Sequence, residues 1–156
     1  NLTSAEGLTL PKYIGGSLDL RNLTNVEGLT LPKHIGGTLY LRNLTSAEGL
    51  TLPKYIGGSL VLSNLTSTKG SIFPKYIGKD LWLCLLASVE GVTLPEYIGG
   101  SLDLRNLISA EGLKLPENFA ICDQLNVPYH IIMEILIHPE KYYNQKEKKE
   151  TESMAR

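Results

Sequence analysis

Residues 1–21 read Asn-Leu-Thr-Ser-Ala-Glu-Gly-Leu-Thr-Leu-Pro-Lys-Tyr-Ile-Gly-Gly-Ser-Leu-Asp-Leu-Arg, and variants of the same phrase begin again at Asn22, Asn43, Asn64, Leu85 and Asn106. Set beneath one another, the six copies hold several columns almost unchanged: Leu2 to Leu107, Gly7 to Gly112, Pro11 to Pro116, and Ile14 to Ile98 closing with Phe119. A repeat of 21 residues lies in the range of solenoids and arrays, in which one unit is too small to bury its own apolar side chains and neighbouring units complete one another's core.

Within a unit, Leu8-Thr9-Leu10 and Leu18-Asp19-Leu20 alternate apolar and polar residues, the period that sends leucines to one face of a strand and the middle residue to the other. Two short strands per coil are therefore expected, in a mainly β fold. Pro11 should halt the first, lacking an N–H for a ladder, and Gly15-Gly16 should turn the chain before the second, as Gly7 does elsewhere in the unit. Coils stacked at about 4.8 Å would make a rod roughly 30 Å long.

The Leu-x-Leu strand with its following asparagine, together with Leu-Pro-Lys-x-Ile-Gly, resembles the leucine-rich repeats of bacterial and phage proteins over residues 1–126. In that family the asparagine comes one place later than Asn22, Asn43 and Asn64 do here, and leucine fills the usual place. The resemblance implies a solenoid of six coils, and the departure implies turns where a typical horseshoe has helices, giving a flatter β-solenoid. After the sixth coil decays at Ala120-Ile121-Cys122-Asp123, Pro128 opens a segment whose Ile131, Ile132, Ile135 and Leu136 suit an amphipathic helix. Residues 127–144 are read as a helical C-terminal cap, and 145–156, charged and nearly without apolar residues, as a frayed or disordered tail.

A net charge of −1 from 15 basic and 16 acidic residues supplies no field to gather nucleic acid or anionic lipid. Cys84 and Cys122 fall in different columns, which argues for free thiols over a disulfide or metal site. No apolar stretch approaches the roughly 20 residues needed to cross a bilayer, and the N-terminus shows no signal pattern. The chain starts at Asn1 inside the repeat register, so an upstream segment is expected to exist, and the compartment stays unassigned.

Recognition can be written where a variable column is flanked by fixed ones. Asp19, Tyr40, Val61, Trp82, Asp103 and Gln124 form such a column between two leucine columns, with Arg21, Arg42, Ser63, Cys84 and Arg105 on one flank and Ser17, Thr38, Ser59, Asp80 and Ser101 on the other. Tyr, Trp and Arg are the residue types enriched at interface hot spots, so Asp19, Tyr40, Val61, Trp82, Asp103, Arg21, Arg42 and Arg105 are the candidate partner-binding residues. Tyr13, His34, Tyr55, Tyr76 and Tyr97 form a second column, either an aromatic ladder that covers the rod's edge or a platform for sugar rings. The Lys12 column and the Glu6 column could pair across the surface.

Other motifs weigh less. Asn-Leu-Thr at four successive coils matches the glycan-acceptor pattern, but glycans on adjacent rungs would collide, and a structural asparagine ladder fits better. The outward Thr9, Thr30, Thr51 and Thr93 lack the second threonine column of ice-binding solenoids. No nucleophile–base set, phosphate-cradling loop, cofactor motif or metal-ligand spacing stands out. The sequence thus points to a non-catalytic module that presents its strand face to a protein partner. The alternatives are a structural rod that self-associates through its uncapped N-terminal end, and carbohydrate binding through the tyrosine ladder.

Overall fold

The computed structural model describes residues 2–117 and 119–143. Each of the first five repeats supplies two parallel strands: β1 (Tyr13–Ile14) and β2 (Leu18–Asp19), β3 (His34–Ile35) and β4 (Leu39–Tyr40), β5 (Tyr55–Ile56) and β6 (Leu60–Val61), β7 (Tyr76–Ile77) and β8 (Leu81–Trp82), β9 (Tyr97–Ile98) and β10 (Leu102–Asp103). The sixth gives α1 (Ile121–Gln124) and β11 (Leu125–Asn126), and the chain continues into α2 (Tyr129–Ile137) and α3 (Pro139–Tyr142). The odd-numbered strands β1 to β9 form one five-stranded sheet, and β2, β4, β6, β8, β10 and β11 form a second of six. The molecule is a β-solenoid whose core is the stacked leucine and isoleucine columns between the sheets, with Ile35, Leu39, Ile56, Leu60, Ile77 and Leu81 fully buried.

The count of two strands per coil agrees with the sequence, but the position of the first does not. Leu8-Thr9-Leu10 lies outside both sheets, and the strand forms after the proline at Tyr13–Ile14. Amide accounting explains the shift. Leu8 N–H donates to Ala5 O across the turn at Gly7, as Leu29 does to Val26 and Leu50 to Ala47, and Pro11 has no N–H. Donors at both borders of the segment are therefore lost to a ladder, and Thr51 to Ile72 makes only an isolated bridge. Leu31, Leu50 and Leu52 still bury while Thr30 and Thr51 face out, so the alternation sets which side chains turn inward without setting the backbone pairing.

The glycines divide into two kinds. At Gly7 and its equivalents φ is 71–77°, the left-handed region that the third residue of such a turn requires. The Gly-Gly pairs, expected to serve as bends of that sort, have no positive φ. They let one coil lie directly on the next: Gly57 N–H donates to Ile35 O at 2.9 Å, and a Cβ on Gly57 would strike the Gly36 carbonyl.

The two ends differ. In coil one Leu8, Leu10, Ile14 and Leu18 are only half-buried. At the other end Ile131 and Ile135 of α2 are fully buried, Leu115 N–H donates to Tyr142 O at 2.6 Å, and Tyr143 hydroxyl donates to Phe119 O at 3.1 Å. The Tyr142 hydroxyl donates to Glu134 Oε1, and its own acid dissociation, with that carboxylate beside it and burial adding to the effect, is pushed up to about 12. Leu136, expected on the buried side of α2, faces outward, because Ile131 and Ile135 already span the seam. The charged segment 145–156 lies outside the described residues. No helix among the described residues is long and apolar enough to cross a membrane.

Gly57→Ala should therefore destabilise the rod by about 1–3 kcal/mol, the usual cost of forcing atoms into packed space. Gly16→Ala, with no atom within 4 Å of the added Cβ, should change stability by less than about 1 kcal/mol. Urea midpoints of the two variants check the contrast.

Candidate functional site

Each strand of the second sheet holds a leucine facing the core and a variable residue facing out. Strand registry places Asp19 beside Tyr40, Tyr40 beside Val61, Val61 beside Trp82, Trp82 beside Asp103, and Asp103 beside Asn126. Asn126, and not Gln124, is thus the sixth member of the column. Leu125 follows its partner Leu102 by 23 residues, against 21 between Leu81 and Leu102, and α1 takes up the difference. Gln124 instead ties the last turn down, donating to Gly100 O at 2.8 Å and accepting from Ala120 N–H at 2.8 Å.

Along this column short and tall side chains alternate, and the consequence is relief. Val61, between Tyr40 and Trp82, is 8% exposed, and Asp103, beyond Trp82, is 4% exposed. A cleft of about 310 Å³ opens over Val61, walled by Tyr40 and Trp82 and rimmed by Thr38, Arg42 and Asp80. A second of about 240 Å³ opens over Asp103 between Trp82 and Asn126, with Asp80, Arg105 and Asp123 on its sides. Trp82 is the ridge between them.

The arginines expected as a common rim are not equivalent. Arg21 pairs with Asp19 at 2.7 Å and lies over the Tyr40 ring at 5.3 Å from its centroid. That hydrogen bond holds the Asp19 carboxyl below the ordinary aspartate value. Arg105 binds Asp103, its Nε at 3.0 and 3.1 Å from the two carboxylate oxygens. Arg42 has no ionic partner among the described residues. The Ser17 flank is likewise structural. Thr38 N–H donates to Ser17 Oγ at 2.9 Å, Ser59 N–H to Thr38 Oγ1 at 3.1 Å, Asp80 N–H to Ser59 Oγ at 3.2 Å, and Ser101 N–H to Asp80 Oδ1 at 2.7 Å. Every member of that column carries an acceptor oxygen on a short side chain, and that shared chemistry is the sequence signal of its structural role.

On the first sheet, Tyr13, His34, Tyr55, Tyr76 and Tyr97 stack with ring centroids 4.7, 4.3, 4.7 and 4.7 Å apart. Inner rings have both faces against their neighbours, so they offer a ligand only edges and hydroxyls. The Lys12 column does not pair with the Glu6 column among the described residues. In coil five the Lys12 column carries Glu96 in place of lysine, and Lys75 pairs with it at 3.5 Å. The described residues contain no cluster of side chains able to hold a metal ion. Cys84 is half-buried and Cys122 exposed, both free, and burial pushes the Cys84 thiol up.

No family model, no curated protein and no solved structure gives a significant match to this chain.

Burial alone would raise the Asp103 carboxyl, but hydrogen bonds from the Arg105 side chain and backbone outweigh it and hold the group below the ordinary aspartate value. A depressed carboxylate contributes stability above the unfolded value of about 3.9, and that contribution disappears as pH falls through the folded value. Urea midpoints should therefore drop between about pH 5 and pH 2, and Asp103→Asn should flatten part of that slope. An unaltered slope in the variant would remove Asp103 from this role.

Proposed function

We propose that the outer face of the second sheet docks a protein partner, with Tyr40 and Trp82 as anchors and no chemistry performed on it. One observation carries this reading: the first and third repeats differ only at Asp19/Val61 and Arg21/Ser63, and all four positions lie on this face. Substitution in two otherwise identical coils has collected where it changes surface shape and spares the core. The clefts either side of Trp82 add concave relief with aromatic walls, the form in which interface anchors are usually received. We read the solenoid as a variant of the leucine-rich repeats of bacterial and phage proteins, which suits a module that displays a surface. Sugar binding through the tyrosine ladder is less favoured, since the inner ring faces that a sugar would stack on are taken.

A partner isolated on the wild-type chain should bind Trp82→Ala about thirtyfold more weakly or worse, the loss of a hot spot of about 2 kcal/mol. Its urea midpoint should stay near the wild type, and Lys54→Gln on another face should leave affinity unchanged. Equal binding by wild type and Trp82→Ala would sink the reading.

Self-association is the second reading, favoured by the half-buried Leu8, Leu10, Ile14 and Leu18 of coil one. Where coil one ends the array, the covering of the last coil by α2 and α3 leaves only a head-to-head contact between first coils, which closes as a dimer instead of growing a filament. Light scattering over about a hundredfold range of concentration should then show monomer passing to dimer by mass action. A constant monomer mass would exclude it.

A further inference from the structure

The spacing of the two clefts identifies the backbone shape of what they receive. One is centred on coil three at Val61 and the other on coil five at Asp103. With parallel strands about 4.8 Å apart, a spacing matched by the 4.7 Å between stacked tyrosine rings, the cleft floors are roughly 9.6 Å apart along the rod. In a polyproline II helix same-side residues recur every three positions, or about 9.3 Å. A β-strand places them at about 6.7 or 13 Å, out of step with the clefts. An α-helix places them at about 10.5 Å over seven residues, but its side chains three and four residues along, at about 4.5–6 Å, fall on the same face. That is where the Trp82 ridge stands. A polyproline II chain, threefold in cross-section, has no side chain there.

The linings differ in kind. The first cleft has an apolar floor at Val61 and aromatic walls. In the second Arg105 is taken by Asp103, while Asp80 and Asp123 have no cationic partner among the described residues. Building on the strand-face reading above, we infer that the face binds a proline-rich segment in the polyproline II conformation, with an aliphatic side chain over Val61 and a lysine or arginine three positions away between Asp80 and Asp123. The carbonyls of such a backbone have no internal hydrogen bonds and are free to accept from the Trp82 indole N–H as the chain crosses the ridge.

Trp82 is the only tryptophan in the sequence, so its emission reports occupancy directly. The probes are the synthetic peptide Pro-Pro-Leu-Pro-Pro-Lys-Pro-Pro-Pro and its reverse order, both blocked at the termini. At least one should shift that emission saturably. Moving the lysine one place should weaken binding about two- to fivefold, the size of one exposed charge contact. Glycine at every proline should weaken it about tenfold, through loss of preorganisation. Val61→Arg, which fills the cleft from outside the core cluster, should abolish the shift. Asp123→Asn, or Asp80→Asn, which keeps the acceptor for the Ser101 amide, should each cost about two- to fivefold. No binding by either order, or equal binding by the glycine and displaced-lysine forms, overturns the polyproline II assignment. If those forms bind equally and Val61→Arg abolishes all binding, the strand face stands without it. Binding that survives Val61→Arg, with partner affinity that survives Trp82→Ala, overturns both.

Discussion

Everything in this molecule depends on coils lying in register at the distance of a β-ladder. A chain that returns every 21 residues can satisfy its strand amides only from the coil above and the coil below, and at the first glycine of each corner the backbones approach so closely that no side chain fits between. A Cβ on Gly36, Gly57, Gly78 or Gly99 would come within 2.2–2.3 Å of the carbonyl oxygen of the coil before it. Once that spacing is set, the rest follows without freedom. The leucines must superpose into columns, the tyrosine rings must stack within 4.3–4.7 Å, and outward residues must form rows whose height varies only with side-chain size.

How much could be read beforehand follows from which interactions are local to a repeat. The repeat, its core columns, the paired strands and the capping helix were all visible, because each is written as identity or alternation between copies. The position of the first strand was not, because apolar alternation at Leu8 and Leu10 says which side chains turn inward and nothing about which amides remain unspent. Counting donors would have found it: the Gly7 turn takes one and Pro11 lacks another. The slip from Gln124 to Asn126 was hidden for a different reason. A decayed repeat no longer announces its own length, and the two extra residues resolve into α1 only when Leu125 must find Leu102.

The candidate face was legible as a variable column and illegible as a shape. Sequence presented Asp19, Tyr40, Val61, Trp82 and Asp103 as equivalent outward positions. In space the tall members shelter the short ones, so Val61 and Asp103 are nearly covered, and two of the three arginines spend their charge within the chain. The Ser17 column, placed on that face as a polar flank, is a row of acceptors that fastens each coil to the next. Surface relief and cohesion of the rod are thus carried by adjacent columns of the same strands, and Asp80 belongs to both, fastening the Ser101 amide and lining the two clefts.

The Tyr40–Val61–Trp82 arrangement also sets a rule for how such an array can change length. A whole coil among the first five can be gained or lost with both sheets and the core intact, since each of these offers the same ladder to its neighbours. Relief along the outer column is stricter. One coil inserted between Tyr40 and Trp82 would widen the cleft by a full rung, and one removed would close the two rings onto each other. The Asp103 cleft beyond Trp82 is bound by the same rule, so only coils before Tyr40 could multiply without altering the spacing of the two clefts.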